Sequence, residues 1–157
     1  MRCGPIGWRV RAKLVKRDIA GALLTDPLNV RYAIDSTNMQ VWILHNAARY
    51  VFVPAENPVV LFDFHNSEHR SLGLNTVDEV RLGTGIYYFA SGPAPAERAG
   101  RWAQEFDDLL RRCGGGNRRL GLDRANPVAV AALQALGIEV CDGTKVMEHA
   151  RRIKSAG

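Results

Sequence analysis

Two histidines four residues apart, His65 and His69, with Glu68 beside the second, come nearest in this chain to a metal-ligand set. On a helix, that spacing brings two imidazoles to one ion. The zincin arrangement requires glutamate directly after the first histidine, and here Asn66 stands there among weak helix formers. The segment reads as a surface loop. Gly83-Thr84-Gly85-Ile86-Tyr87-Tyr88 opens like a dinucleotide loop, but Tyr88 occupies the third glycine's place and no helix is expected after it, so a tight turn is the reading. Gly114-Gly115-Gly116-Asn117 lacks the Lys-Ser/Thr ending of a phosphate loop and reads as a helix stop. No Gly-x-Ser-x-Gly elbow occurs. Asp63, Asp107 and Asp108 are carboxylates without an evident partner, and no self-contained catalytic constellation emerges.

The densest polar stretch lies earlier. Gly21-Ala22-Leu23-Leu24-Thr25 reads as a buried strand that runs into Asp26-Pro27, an N-cap followed by a proline at the first helical position. Asp35, Ser36, Thr37, Asn38 and Gln40 follow closely, then Trp42 and His45-Asn46. A polar cluster at a strand-to-helix junction either coordinates a ligand or locks a loop.

The elements that must hold these residues follow from periodicity. Trp8, Ala12, Val15 and Ile19 form an apolar stripe at helical spacing, with basic residues around it. Two β-rich runs, 49–53 and 59–64, flank the turn residues Pro54 to Pro58 and predict a hairpin. The second run is apolar on both faces and is expected to be the more central. Strands are expected near 77–82 and 86–90. A helix carrying Trp102, Phe106, Leu109, Leu110 and Cys113 follows. Then come a strand at 120–122, a helix capped by Asn126-Pro127, a strand at 138–140, and a last helix capped by Thr144 with Val146, Met147, Ala150 and Ile153 on one face. An antiparallel hairpin followed by βα units predicts an α/β fold, a mixed β-sheet with helices packed on it.

The 157 residues suit one domain. Hydrophobic content of 46% and charged content of 24% are ordinary for a globular chain. No apolar run approaches the roughly 18 residues of a membrane span, and the basic start never opens into a signal core. No membrane association and a cytoplasmic address are the expectations. Three cysteines, Cys3, Cys113 and Cys141, are too few and too scattered for a disulfide framework or a zinc knuckle. The net charge of +5 gathers at the two ends of the sequence. It lacks the aromatic interleaving of a single-strand binder, so nucleic acid is not an expected partner.

Asp26-Pro27-Leu28-Asn29-Val30-Arg31-Tyr32 followed by Asp35-Ser36-Thr37-Asn38 resembles the start of creatinase/prolidase N-terminal domains. Arg151-Arg152-Ile153-Lys154-Ser155 is similar to the junction that joins such a domain to a catalytic one. The stretch from Asp35 to Trp42 and the glycines at 114–116 look closest to the dimethylsulfoniopropionate lyase branch. The resemblance implies a ribonuclease-H-like domain over residues 8–150, a flexible start at 1–7, and at 151–157 the beginning of a linker to a catalytic domain absent from this sequence. Divalent metal is implied only for that absent domain, and no cofactor or catalytic residue for this chain. It also implies a homodimer or higher homo-oligomer in which this domain shapes the neighbouring subunit's active-site entrance. Trp42, Arg49 and His45 best match the positions that would do so. Tryptophan offers a face to an apolar or cationic group, and arginine a fork to a carboxylate. The alternative is a stand-alone binding module of the same fold for an anionic ligand or nucleic acid, motivated by the basic ends.

Overall fold

A computed structural model describes residues 7–39, 44–56, 58–67, 69 and 71–152. The elements are α1 (Gly7–Lys16), β1 (Gly21–Leu24), α2 (Pro27–Ile34), β2 (Tyr50–Pro54), β3 (Val60–Asp63), β4 (Glu79–Leu82), α3 (Tyr88–Ser91), α4 (Pro95–Cys113), β5 (Arg119–Leu122), α5 (Pro127–Ala135), β6 (Glu139–Asp142) and α6 (Gly143–Arg151). Six strands form one sheet in the order β4-β3-β2-β1-β5-β6. The central pairs β1–β2 and β2–β3 are antiparallel, and the outer pairs β1–β5, β5–β6 and β3–β4 are parallel. This is the expected mixed sheet with helices packed on it.

Strand alternation feeds two cores. Leu23, Tyr50, Phe52, Val60 and Phe62 point to one face, where Trp102 and Phe106 of α4 and Leu133 of α5 cover them. Ala22, Leu24, Val51, Val53 and Leu61 point to the other, under Val10 and Leu14 of α1, Ile34 of α2 and Met147 of α6. Successive side chains take opposite faces, so a strand covered on both must be apolar throughout. That corrects the expectation that the 59–64 run is the more central. Both hairpin strands are fully buried, but β2 pairs with β1 and β3, whereas β3 lies next to the edge strand β4.

Three local expectations are also corrected. In α1 the buried stripe is Gly7, Val10 and Leu14, while Trp8 and Val15 face outward. The helix ends at Lys16, so Ile19 enters the core from beyond a turn in which Asp18 takes φ 54. The expected strand at 86–90 is instead the short helix α3, closed by bonds from the Ser91 and Gly92 amides to Tyr87 and Tyr88 carbonyls. The last helix is capped by Asp142, whose Oδ1 accepts from the Lys145 amide, while Thr144 donates to the Asp123 carbonyl. The caps at Asp26 and Asn126 and the stop at Gly114 stand as expected.

Asp107 was expected to have no partner. Its carboxylate, 2% exposed, accepts from Arg111 and from Arg118, and Arg118 also donates to the Leu136 carbonyl. The cluster ties α4, β5 and the end of α5 together. The Arg111 hydrogen bond, and after it that of Arg118, holds the Asp107 carboxyl below its ordinary range. A carboxyl depressed in the native state contributes stability that is complete above the unfolded value, about pH 4. That contribution is lost as pH falls through the native value. The stability gap between wild type and Asp107→Asn is therefore expected to narrow as denaturant titrations move from neutral pH to below about pH 4. A gap that stays constant would remove Asp107 from the acid limb.

Candidate functional site

Strand directions bring the chemistry to one end of the sheet: the carboxyl ends of β1, β3, β4 and β5 and the start of β2. Here the chain changes sides. After β1 it passes to α2 on one face, and after β5 to α5 on the other. In open α/β sheets that switch point is where ligands enter.

In this protein a side chain of the protein itself occupies it. The carboxylate of Asp123, directly after β5, accepts from the Thr25 amide at 2.8 Å, the Asp26 amide at 3.0 Å and, at 3.1 Å, the Thr25 hydroxyl, whose proton it shares with the Arg124 carbonyl at 2.7 Å. Asn29 Nδ2 at 2.9 Å and the Arg124 amide at 2.7 Å complete the shell. A fixed carboxylate thus sits where a bound anion would, at the start of α2. Asp26 is engaged as well: it caps α2 through the Leu28 and Asn29 amides and pairs with Arg124 at 3.3 Å. Arg124 also donates to the Leu44 carbonyl at 2.9 Å. The start of α2 is thus locked by Asp123 and Asp26, residues outside the polar run from Asp35 to Gln40.

A second cluster lies two strands away. Arg49, just before β2, is 2% exposed. Its Nε donates to Asp63 Oδ2 at 3.2 Å, at the end of β3. One guanidinium nitrogen reaches the Ser36 carbonyl and the other the Ser36 and Ser71 hydroxyls. Asp63, fully buried, also accepts from Ser71 Oγ at 2.8 Å and the Phe64 amide at 3.0 Å. A buried ion pair is tolerable only when its remaining hydrogen-bonding groups are satisfied, and these are. Asp63 therefore has a partner, contrary to the expectation that it stood alone.

Of the three positions singled out, Trp42 lies outside the described residues. His45 is exposed, one residue past the Leu44 carbonyl that Arg124 holds. The Arg49 guanidinium is spent within the chain. His65 and His69 are both exposed, His65 in a turn and His69 in a short helical turn, and Glu68 lies outside the described residues. Among the described residues no group of three or more histidine, cysteine, aspartate or glutamate side chains is placed to hold a metal ion. Cys113 and Cys141 are half-buried free thiols, and burial raises both pKa values. No helix among the described residues is long and apolar enough to cross a membrane.

Sequence reasoning missed Asp123, Ser71 and the cavity beside this cluster. The signal for Asp123 was its place directly after a short apolar strand, matching that of Asp26 after β1. For Ser71 there was none, because a long-range contact from a loop leaves no local pattern.

Comparison with known proteins places this geometry. The family profile described as the Creatinase/Prolidase N-terminal domain matches residues 8–153. The dimethylsulfoniopropionate lyases DddP of Roseovarius nubinhibens and Roseobacter denitrificans are 39% and 41% identical to the chain over 146 residues. Each match covers 93% of this chain and 33% of the relative, so the chain spans about a third of the length of these relatives. Among solved structures, an aminopeptidase P from Streptococcus thermophilus superposes with a TM-score of 0.62 at 17% identity, over 91% of this chain and 93% of that one. An Xaa-Pro dipeptidase from Bacillus anthracis gives 0.63 at 16% identity, over 94% of this chain and 35% of that one. At such identities these structures share the fold.

Proposed function

The chain belongs to the creatinase/prolidase N-terminal domain family, and we propose that it serves as the assembling and entrance-shaping part of a metalloenzyme of that type, not as its catalyst. The parent activity is a metal-dependent Xaa-Pro hydrolysis or a dimethylsulfoniopropionate lyase reaction, carried by a separate catalytic domain that supplies the divalent metal. The curated lyases favour the second. Assembly is as a homodimer or larger homo-oligomer.

One observation carries this reading: the segment 44–49 is pinned at both ends and presents His45 to solvent between them, while Ala47 is buried. Arg124 holds Leu44, and Asp63 with Ser36 holds Arg49. His45, solvent-facing, is thereby displayed at the sheet end. Such anchoring keeps a displayed side chain in one geometry against a partner surface. In this arrangement Arg49 positions the segment, while His45 faces the partner's substrate.

Two measurements test it. The purified chain, with or without added divalent metal, is expected to turn over neither Xaa-Pro dipeptides nor dimethylsulfoniopropionate. Reproducible activity, free of contaminating enzyme, overturns the proposal. The second exchanges this chain for the matching third of the Roseovarius lyase. The chimera is expected to assemble as the lyase does, and His45→Ala within it to raise KM more than it lowers kcat. A chimera that assembles but is indifferent to His45 rejects the entrance role.

A second reading has its own observation. Arg9 and Lys13 of α1 and His149 of α6 line one groove with Trp8. Burial first, then Arg17, Arg152, Lys145 and Lys13, holds His149 below its ordinary pKa. A cationic face of this kind suits a polyanion such as nucleic acid. Binding that weakens steeply with salt supports it, and no binding at low salt ends it.

A further inference from the structure

Beside the Arg49–Asp63 pair, at the same end of the sheet, lies a cavity of about 290 Å³. Phe64, Leu82, Ile86, Tyr87 and Phe89 give it apolar walls, and Asn46, Ala47 and Ala48 close one side. Two basic side chains reach it, His65 and Arg98. Among the described residues, no aspartate or glutamate lines it. Asp63, whose carbonyl holds Gly83, is paired with Arg49, and Glu97, next to Arg98 in the sequence, is paired with Arg101 at 2.5 Å.

The cavity is also preformed. The Gly83 amide donates to the Asp63 carbonyl at 2.7 Å. The Tyr50 hydroxyl accepts from the Thr84 amide at 2.7 Å and donates to its carbonyl at 3.3 Å. A Cβ on Gly85 would stand 2.3 Å from that of Ala90, so the turn at 83–85 lies flat against α3. Rigid apolar walls with a few convergent polar groups are the ordinary make-up of a small-molecule site.

We propose that this cavity binds small monoanions with an apolar body, carboxylates in particular, with the ring or alkyl group between Phe64, Ile86 and Phe89 and the charge at Arg98. An arginine fork matches a carboxylate in geometry and stays charged at all working pH values. His65 adds an N–H donor at the rim. The apolar walls disfavour a small hydrated dianion, and the two basic side chains, with no carboxylate among the described lining residues, disfavour a cation. This site goes beyond the assembly reading and stands or falls independently of it.

The test is a titration of the labelled chain, following backbone amide shifts, with benzoate and its neutral isostere benzamide. Both are expected to move the Gly83, Gly85 and Ile86 amides, with benzoate binding several-fold more tightly. Arg98→Gln is expected to bring benzoate down to the level of benzamide. Phe89→Ala is expected to weaken both alike. Arg98 and Phe89 are exposed, so neither variant threatens folding. Acetyl-Gly-Phe and its C-terminal amide separate the sources of the carboxylate. Preference for the peptide acid over benzoate identifies a polypeptide terminus, and the reverse a free small acid. Equal affinity for benzoate and benzamide, shifts mapping elsewhere, an unchanged Arg98→Gln variant, or no shift at the solubility limit would overturn the proposal.

Discussion

Replacing Arg49 with methionine is expected to destabilise the protein by about 3–5 kcal/mol, the cost of leaving a buried carboxylate without its cation. Domains of this kind have about 5–15 kcal/mol in total, so the loss is a large fraction. The pair is almost wholly inside, with side-chain exposures of 3% and 0%. The removed guanidinium also leaves the Ser36 carbonyl and hydroxyl without a donor. In urea the midpoint should fall while the slope stays constant, since the surface exposed on unfolding is unchanged. Arg49→Met with Asp63→Leu should recover part of the loss. Recovery is incomplete because the Ser71 hydroxyl and the Phe64 amide then lack their acceptor. A single variant within 1 kcal/mol of wild type would show the pair to be solvated, and with it the anchoring of segment 44–49 would fail.

The second large effect is expected at Asp123. Truncation to alanine removes the acceptor of five hydrogen bonds. Bonds to a charged acceptor are worth roughly 1.5–3 kcal/mol singly and are not additive, so about 3 kcal/mol is a reasonable total. The position-specific readout is amide exchange. Protection at Thr25 and Asp26 should collapse in Asp123→Ala beyond the general loss of stability. Asp123→Asn should fall between, because one amide oxygen can still accept while the NH2 group meets donors. Protected Thr25 and Asp26 amides in the alanine variant would show that the β1 end is held by strand pairing alone.

These two clusters mark the limit of what the sequence discloses. The caps at Asp26 and Asn126, the hairpin turn and the α4 stripe were legible because each depends on residues within a turn or two. The α/β class was legible for the same reason, as was the family likeness carried by the segments at 26–38 and 151–155. Where reading failed, distance was the main cause. Asp63 reads as solitary because its cation is 14 positions earlier; Asp107 has a distant partner in Arg118, but Arg111, four residues on in the same helix, was open to a reading of i,i+4 pairs. The α1 stripe failed differently: two apolar sets compete on that helix, and only the tertiary neighbours decide which one is buried. The cavity was not foreseeable, since its walls come from five separate segments.

The pairing of β1 has a kinetic side. Its antiparallel partner β2 pairs with it across contacts as near as 27 positions, Leu24 to Val51, whereas its parallel partner β5 closes contacts 98 positions apart, as between Thr25 and Asp123. Closing so long a loop must precede any reward from the contact, which makes this pairing a slow step in folding. A nascent chain can form β1, β2 and β3 as an antiparallel meander while the other edge of β1 stays open. That edge is fully apolar, Gly21–Leu24, and unpaired backbone of this kind recruits other strands. Until β5 emerges, the strand at the centre of the finished sheet is the most aggregation-prone edge of the growing one.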